Sequence, residues 1–330
     1  VKYDEKVYAF YGQFSSAIKQ FYLSLGLRTE ISNIDMGTNT SNRITKKYTD
    51  FFPSGSLSYE FENGDYLSVN YARTINRPKV PQINPFISLS DERFQSVGNP
   101  NLNPYYNNYF ELIYDKSFEK ISIASAFFVS NAKDQFLSII QNTGQNAEGQ
   151  DIFERTYINS GNKNIVGIDA DITYRPTKWL LLNTYVSPYK LQIKNTINNL
   201  YDYKSTVWYA QGSALLSLNN GFRFLANYYY QSPINDGLTK LNTINYANAT
   251  ISKSLLNKKA IIAFKIIDVF NSKWFNYQSF ESNTYTLRKI RFDRQFILSF
   301  TYRFNQKRKS AKDRSSETNK DVLEDKQDEK

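Results

Sequence analysis

"VGIDADITYR" (Val166 to Arg175) changes from apolar to polar and back at every second residue. In a β-strand, Ile168 and Ile172 would lie on one face, and Asp169 and Asp171 on the opposite face. A helix would instead repeat its apolar positions every three or four residues. The stretch therefore predicts a strand with one apolar face and one polar face.

The same alternation recurs along the chain, at residues 57–61, 67–71, 208–218 and 296–304. Following it from end to end predicts about thirteen strands, many of them about ten residues or longer. A strand of a soluble sheet usually has about five or six residues, whereas a tilted strand that crosses a bilayer needs about 9–11. Strand length therefore favours a transmembrane barrel.

The connections between the predicted strands alternate between short and long. The short ones are Asn63-Gly64-Asp65, Lys116-Ser117, Pro176-Thr177-Lys178, Asn219-Asn220-Gly221 and Leu256-Asn257-Lys258. The long ones are predicted as loops at about 35–46, 77–105, 141–157, 195–204, 232–242 and 271–285. In an up-and-down barrel this parity places every short turn at one rim and every long loop at the other, as in outer-membrane barrels. The last strand then runs toward the short-turn, periplasmic rim.

Composition excludes several classes of site and of membrane anchor. The 330 residues include no cysteine and no histidine, so the usual zinc sites and the Ser-His and Cys-His catalytic pairs are impossible. No cofactor is predicted. Mean hydropathy is -0.55, and no apolar run approaches the length of about 18 residues that a transmembrane helix requires. Aromatic residues make up 16%, with 26 Tyr and 24 Phe, which favours strands.

Charge defines two parts of the chain. Residues 1–304 are predicted to form the barrel portion, and residues 305–330 a charged, disordered, periplasmic tail, because the tail has almost no apolar residue to bury. The net charge is +10, but Lys and Arg are spread along the body, so no nucleic-acid partner is predicted. The chain opens at Val1 in a strand-like stretch without a signal peptide, and we expect it to be the C-terminal part of a longer protein.

Five pieces of sequence, in order, resemble one known family. They are "FFPSGSLSYEF", "YLSVNYARTINRPKVPQINPF", "SVGNPNLNP", "GIDADITYRPTKWLLLN" and "IIDVFNSKWF". Together they resemble the barrel of TonB-dependent outer-membrane receptors, of the outer-membrane beta-barrel type common in Bacteroidetes, from about Phe51 to Phe304. The chain departs from that family at Tyr105, where an acidic residue is usual, and in the polar residues that follow Phe304.

The resemblance implies an all-β, antiparallel, up-and-down transmembrane barrel, of which this chain is the C-terminal part of about 22 strands. It implies a cell outer-membrane location and uptake of a scarce solute, not catalysis. The implied partners are the lipid bilayer, an N-terminal plug domain and the TonB complex from a region not in this chain, a surface lipoprotein and a small solute ligand.

The resemblance also marks a loop of structural or rim character, whereas no ligand-binding residue can be assigned. The loop residues are Arg77, Pro78, Asn84, Pro85, Phe86, Gly98, Asn99, Pro100, Leu102 and Pro104. A second group of polar residues is predicted to face the lumen of the barrel. It consists of Glu60, Glu62, Arg73, Glu111, Asp169, Asp171 and Arg303.

Two other functions fit the same alternation. One is a smaller, porin-like or structural outer-membrane barrel without energy coupling. The other is a soluble β-rich module that binds carbohydrate. The ligand stays open among iron chelates, oligosaccharides, peptides and cobalamin.

Overall fold

The computed structural model describes residues 2–37, 43–86, 88–89, 94–195, 202–235, 239–281 and 284–304. Within them lie one helical turn, α1 (Val80–Ile83), and 21 strands. The strands are β1 (Lys2–Ile18), β2 (Phe21–Gly37), β3 (Ile44–Glu60), β4 (Tyr66–Asn76), β5 (Ser88–Leu89), β6 (Phe94–Ser96), β7 (Tyr105–Ser117), β8 (Ile121–Lys133), β9 (Phe136–Gln145), β10 (Asp151–Asn159), β11 (Asn162–Thr177), β12 (Leu180–Lys194), β13 (Tyr203–Ser217), β14 (Phe222–Gln231), β15 (Ile234–Asn235), β16 (Thr239–Leu241), β17 (Ile244–Leu255), β18 (Ala260–Ile267), β19 (Trp274–Glu281), β20 (Thr284–Arg291) and β21 (Gln295–Tyr302). The charged tail predicted at 305–330 lies outside the described residues.

Thirteen strands form one antiparallel sheet whose order follows the chain. The order is β1-β2-β3-β4-β7-β8-β11-β12-β13-β14-β17-β18-β21. Each strand pairs with the next one along this list, as in an up-and-down barrel wall. The prediction of about thirteen long strands in an antiparallel barrel portion is confirmed. Among the described residues, no helix has the length and apolar character that crossing a membrane would require.

The alternation of connections is also confirmed. The short turns lie between β1 and β2, β3 and β4, β7 and β8, β11 and β12, β13 and β14, and β17 and β18. Every other connection in the wall is longer, and all of these meet at the opposite rim.

Part of the loop prediction is wrong, because the long connections contain strands. Two of them form a four-stranded sheet in the order β5-β6-β10-β9, and two others form the sheet β15-β16-β19-β20. Pairing satisfies backbone N–H and C=O groups that a long excursion of irregular chain would leave without partners. The outer rim therefore carries two small sheets above the wall.

Strand register gives the wall two different faces. Ile168 and Phe51 are 54% and 55% exposed on the outward face. On the inward face, by contrast, Ser58 and Ser68 are buried and hydrogen-bonded to each other at 2.9 Å. Other exposed side chains on the outward face are Phe10, Phe14, Leu25, Leu27, Leu57, Phe110, Trp208, Phe224, Phe264, Phe296 and Leu298.

No described layer covers these outward apolar side chains. A soluble sandwich would bury such a face against a second sheet, so the described part of the chain contradicts the soluble-module alternative. Hydrocarbon tails of a bilayer are the medium that suits an apolar wall whose backbone groups are paired within the sheet.

One charged contact joins the short turn before β4 to the end of β7 at the short-turn rim. Asp65, which is buried beside β4, accepts hydrogen bonds from Lys116 Nζ at 2.7 Å and from the Tyr114 hydroxyl at 2.8 Å. Its backbone N–H donates to Asn63 Oδ1 at 3.1 Å. The Lys116 ammonium holds the pKa of the Asp65 carboxyl below its ordinary value.

This contact predicts acid sensitivity at the short-turn rim. A carboxyl with a lowered pKa stabilises the fold above its ordinary pKa, and that contribution is lost as pH falls through the lowered value. We expect Asp65→Asn to lower the stability of the protein at neutral pH. The variant should then lose little further stability as the pH falls through the lowered pKa of Asp65. Thermal unfolding of the whole protein as a function of pH measures this. Glu119→Gln, an exposed acid in the next short turn, is the matched control; if both variants keep the wild-type pH dependence, the contact does not contribute.

Candidate functional site: a loop clamped on the inward face

The described residues of the loop 77–104 lie on the inward face of the wall at the outer rim. Its two apolar anchors, Ile83 and Leu102, are buried together with Met36 of β2. Ile44 of β3 and Tyr157 of β10 pack against this cluster. The loop is therefore held between the barrel wall and the outer sheet that contains β10.

Two backbone contacts close the loop on itself. The N–H groups of Gly98 and Asn99 donate to the carbonyls of Asn84 and Gln82, both at 2.7 Å. The loop begins with α1, a single helical turn in which the Gln82 side chain accepts a hydrogen bond from the N–H of Lys79 at 2.8 Å. Proline near the start of this turn fixes the backbone angles that it needs. The "NP" and "GNP" pieces thus meet in space.

Asparagine side chains tie the second half of the loop to β10. Asn99 Nδ2 donates to the carbonyl of Tyr157 at 2.8 Å. Asn159 Oδ1 accepts from the N–H of Asn103, and Asn159 Nδ2 donates to the carbonyl of Asn103, both at 2.8 Å. On the wall side, Lys46 Nζ donates to the carbonyl of Leu102 at 2.5 Å. These bonds account for the asparagine at position 99 of "SVGNPNLNP", whereas Asn103 contributes only its backbone groups.

The close approach of the loop to itself requires glycine at Gly98. A Cβ built there would lie 2.5 Å from the nitrogen and 2.6 Å from the oxygen of Asn84. We expect Gly98→Ala to weaken loop closure by about 1–3 kcal/mol, the usual cost of overpacking a tight site. Trypsin cleavage after exposed Lys79 should rise accordingly, whereas Gly212→Ala, with no atom within 4 Å of its Cβ, should not change it. Equal cleavage in both variants would show that Gly98 is replaceable.

A buried ionic network anchors the start of the loop. Arg77 Nη2 donates to Glu30 Oε2 at 2.5 Å and to Ser32 Oγ at 3.0 Å. The Arg77 guanidinium also lies 3.8 Å from Glu5 and 3.9 Å from Asp50. The side chains of Glu30 and Asp50 are only 9% and 4% exposed. Arg77 therefore neutralises carboxylates that water does not reach well.

Two more side chains complete this network. Arg28 donates to the other oxygen of Glu30 at 2.7 Å, and the Tyr106 hydroxyl donates to Asp50 through a short hydrogen bond. Three carboxylates thus share two guanidinium groups. Such a network tolerates the loss of a cation poorly, because desolvated carboxylates would be left without compensation.

The remaining loop residues predicted from the sequence frame these contacts. Pro78 and Pro104 are buried at the two ends of the loop, Pro85 and Pro100 are half-buried, and Phe86 is exposed.

The predicted lumen-facing residues do not form one cluster. Register places Glu60, Glu111, Asp169 and Asp171 on the inward face. Arg303 lies directly after β21, outside the paired residues. Glu60 lies at the short-turn rim, and Glu62 lies in the turn itself. Asp171 accepts from Asn183 Nδ2 at 2.8 Å, and Glu111 accepts from the Tyr109 hydroxyl at 3.1 Å.

Arg73 lies beside the buried ionic network. Its guanidinium is 4.4 Å from the centre of the Tyr106 ring, whose hydroxyl donates to the buried Asp50. The exposed side chains of β4 change from the odd positions Val69 and Tyr71 to the even positions Thr74 and Asn76, so the parity of Ser68 does not fix the face on which Arg73 lies. That Arg73 faces the lumen stays a prediction.

Sequence reasoning missed the carboxylates that receive Arg77. Glu30 and Ser32 flank Ile31 in β2, and Asp50 precedes Phe51 in β3, so charged residues on the face opposite to these apolar ones were a usable signal. No comparable signal exists for Asn159, whose partner Asn103 lies 56 residues away.

The "IIDVFNSKWF" piece forms a second hydrogen-bonded cluster at the outer rim, which is centred on Asp268. Asp268, 1% exposed, accepts from the N–H groups of Ser272 and Lys273, both at 2.9 Å. Its own N–H donates to Asn248 Oδ1 at 3.0 Å, and Arg294 donates to its carbonyl at 3.2 Å. The Asp268 cluster fixes both ends of the β19–β20 hairpin to the wall.

Removal of this carboxylate should loosen the hairpin. Hydrogen bonds to a charged acceptor contribute about 1.5–3 kcal/mol, so Asp268→Ala should speed amide hydrogen exchange in β19 and β20 while leaving β1 to β4 unchanged. Asp268→Asn, which keeps one acceptor oxygen, should show a smaller effect. Asp293→Ala, at an exposed acid nearby, is the control. If exchange in Asp268→Ala matches this control, the Asp268 cluster does not hold the hairpin.

Among the described residues, no group of three or more potential ligand side chains could hold a metal ion.

Solved structures with the same architecture include receptors and an iron transporter. The siderophore receptor PiuA from Acinetobacter baumannii matches with a TM-score of 0.65 and 12% identity, over 91% of this chain and 44% of that one. The FrpB iron transporter from Neisseria meningitidis (F5-1 variant) gives 0.64 and 14%, over 91% and 46%. The ferric-catecholate import receptor Fiu from E. coli K12 gives 0.62 and 14%, over 91% and 45%.

The chain thus spans less than half the length of these structures, and at such identities they establish the fold alone. No curated protein matches the sequence. The model of the outer membrane protein beta-barrel family matches residues 1–302. A match over nearly the whole chain, together with the apolar outward wall and the alternating connections, shows that this chain belongs to the outer membrane protein beta-barrel family, whose location is the outer membrane.

Proposed function

We propose that this chain is the C-terminal wall of a TonB-dependent outer-membrane receptor that takes up a scarce solute. The observation that carries the proposal is the loop of residues 77–104, which folds onto the inward face and is held there by a buried ionic network. An ordered loop of this kind would narrow the outer mouth of the complete barrel, which suits selective binding more than free diffusion. The receptor architecture of the similar solved structures supports it.

The receptor would act by binding and not by catalysis. Its partners would be the lipid bilayer, an N-terminal plug domain inside the lumen and the TonB complex below it. The two outer sheets offer a surface for a lipoprotein at the cell exterior. Inward carboxylates such as Glu111, Asp169 and Asp171 would contact the plug, water or the solute.

Electrical conductance and TonB binding test this function together. The whole protein, reconstituted in a planar lipid bilayer, should stay closed, and it should bind the purified C-terminal domain of TonB. A stable open channel without any binding to TonB would instead establish the porin-like alternative.

A further inference from the structure

Four tyrosines on neighbouring strands form a row across the inward face. They are Tyr185 of β12, Tyr209 of β13, Tyr229 of β14 and Tyr246 of β17. Consecutive ring centres lie 5.6, 5.1 and 5.0 Å apart. The rings face inward because the residue before Tyr229, Tyr228, is 46% exposed on the outward face.

Uncharged hydrogen-bonding groups surround this tyrosine row. The hydroxyls of Tyr209 and Tyr229 donate to Gln211 at 3.4 Å and to Gln231 at 3.1 Å. Other inward residues of the same four strands are Asn183, Ser187, Ser213, Asn227 and Asn248. In the described part of these strands, the one charged residue with inward parity is Arg223, at the short-turn end of β14. Apart from Arg223, the inward side chains of these strands are uncharged, and leucines such as Leu215 and Leu225 share this face at the short-turn end.

The charges next to the row differ at its two ends. Beside Tyr185 stand Asp169 and Asp171 of β11, with Glu111 of β7 beyond them. Beside Tyr246 stands Lys273, whose ammonium is packed between the rings of Tyr246 and Phe292 at 4.8 and 4.9 Å. At the Tyr185 end, the carboxylates disfavour an anionic ligand, because like charges repel.

We propose that the tyrosine row is a binding track for a neutral saccharide chain, a substrate class that rests on the proposed receptor function. Tyrosine rings offer apolar faces to the C–H faces of sugar rings, and their hydroxyls stay available for hydrogen bonds. Asparagine and glutamine side chains each supply both donors and an acceptor, which matches the paired hydroxyls of a sugar. A repeated ring across four strands suits a ligand that is itself a repeat.

Calorimetric titration of the whole protein in detergent tests the track. The probes are four neutral hexasaccharides (maltohexaose, cellohexaose, xylohexaose and mannohexaose) and the acidic hexagalacturonate. We expect at least one neutral hexasaccharide to bind and hexagalacturonate not to bind. The double variant Tyr209→Ala/Tyr229→Ala should weaken that binding by about tenfold or more, because two aromatic contacts are lost.

Two variants separate recognition from folding. Tyr228→Ala removes an outward tyrosine from the same strand and should leave binding unchanged. Tyr209→Phe/Tyr229→Phe keeps both rings, so it should fold normally and retain most of the affinity. The proposal is overturned if no neutral hexasaccharide binds, if hexagalacturonate binds equally well, or if the double alanine variant binds like Tyr228→Ala. A protein that fails here but stays closed in bilayers and binds TonB would remain a receptor, for another class of solute.

Discussion

Arg77→Met should release the clamped loop from the wall. The substitution removes a guanidinium that contacts Glu30 at 2.5 Å and leaves the buried carboxylates of Glu30 and Asp50 with less compensation. Removal of one partner from a buried ion pair costs about 3–5 kcal/mol, which corresponds to an increase of two or more orders of magnitude in the open population of the loop. Trypsin cleavage after Lys79 in the whole protein measures that population.

The chain offers a matched control for this experiment. Arg43 pairs with Asp35 at the same rim, but its side chain is 76% exposed. An exposed pair contributes about 0–1 kcal/mol, so Arg43→Met should leave cleavage nearly unchanged. Glu30→Gln added to Arg77→Met should restore part of the closure, because it removes one uncompensated charge. If Arg77→Met and Arg43→Met are cleaved at the same rate, the network does not hold the loop.

The wall of the barrel could be predicted from local sequence because register and burial are coupled. A slip of one residue would move Ile168 and Ile172 to the inward face, together with every other apolar side chain of β11. The alternation in Val166–Arg175 therefore specifies both the strand and its two faces. The parity of turns such as Asn63-Gly64-Asp65 then gives the direction of each strand.

The outer sheets could not be predicted in the same way. In β10, Ile152 and Phe153 are adjacent in sequence, and the register with β9 shifts between them. Such a bulge breaks the period of two by which a strand is recognised. Most side chains of β10 are neither fully buried nor fully exposed, so no apolar face stands out from a polar one.

The candidate site could be predicted only in part, because the residues that hold the loop are far from it in the sequence. "SVGNPNLNP" marks an ordered loop, and its prolines and Gly98 carry a local conformational signal. The groups that hold the loop are remote: Glu30 is 47 residues from Arg77, and Tyr157 is 58 residues from Asn99. A local pattern says that such a residue is polar, whereas only the fold says which partner it meets.

Leu102→Ala should open the loop about as strongly as loss of the ion network. Leu102 is 1% exposed and packs in the cluster with Met36 and Ile83. Truncation of a buried leucine costs about 2–5 kcal/mol, because transfer free energy is lost and a cavity remains. Amide hydrogen exchange at Gly98 and Asn99, whose N–H groups close the loop, should accelerate by the corresponding factor.

Comparison with a leucine on the outward face distinguishes a clamped loop from a rim connection that merely passes over the wall. Leu57→Ala removes an equal volume from the outward face, where the side chain is 48% exposed, and should leave exchange in the loop unchanged. Because Leu102 carries no charge, its effect should persist unchanged at high salt, and the effect of Arg77→Met should weaken only slightly because salt screens buried ion pairs little. Exchange rates at Gly98 and Asn99 that are the same in Leu102→Ala and Leu57→Ala would mean that the apolar anchor contributes nothing to closure, and that polar contacts hold the loop against the wall.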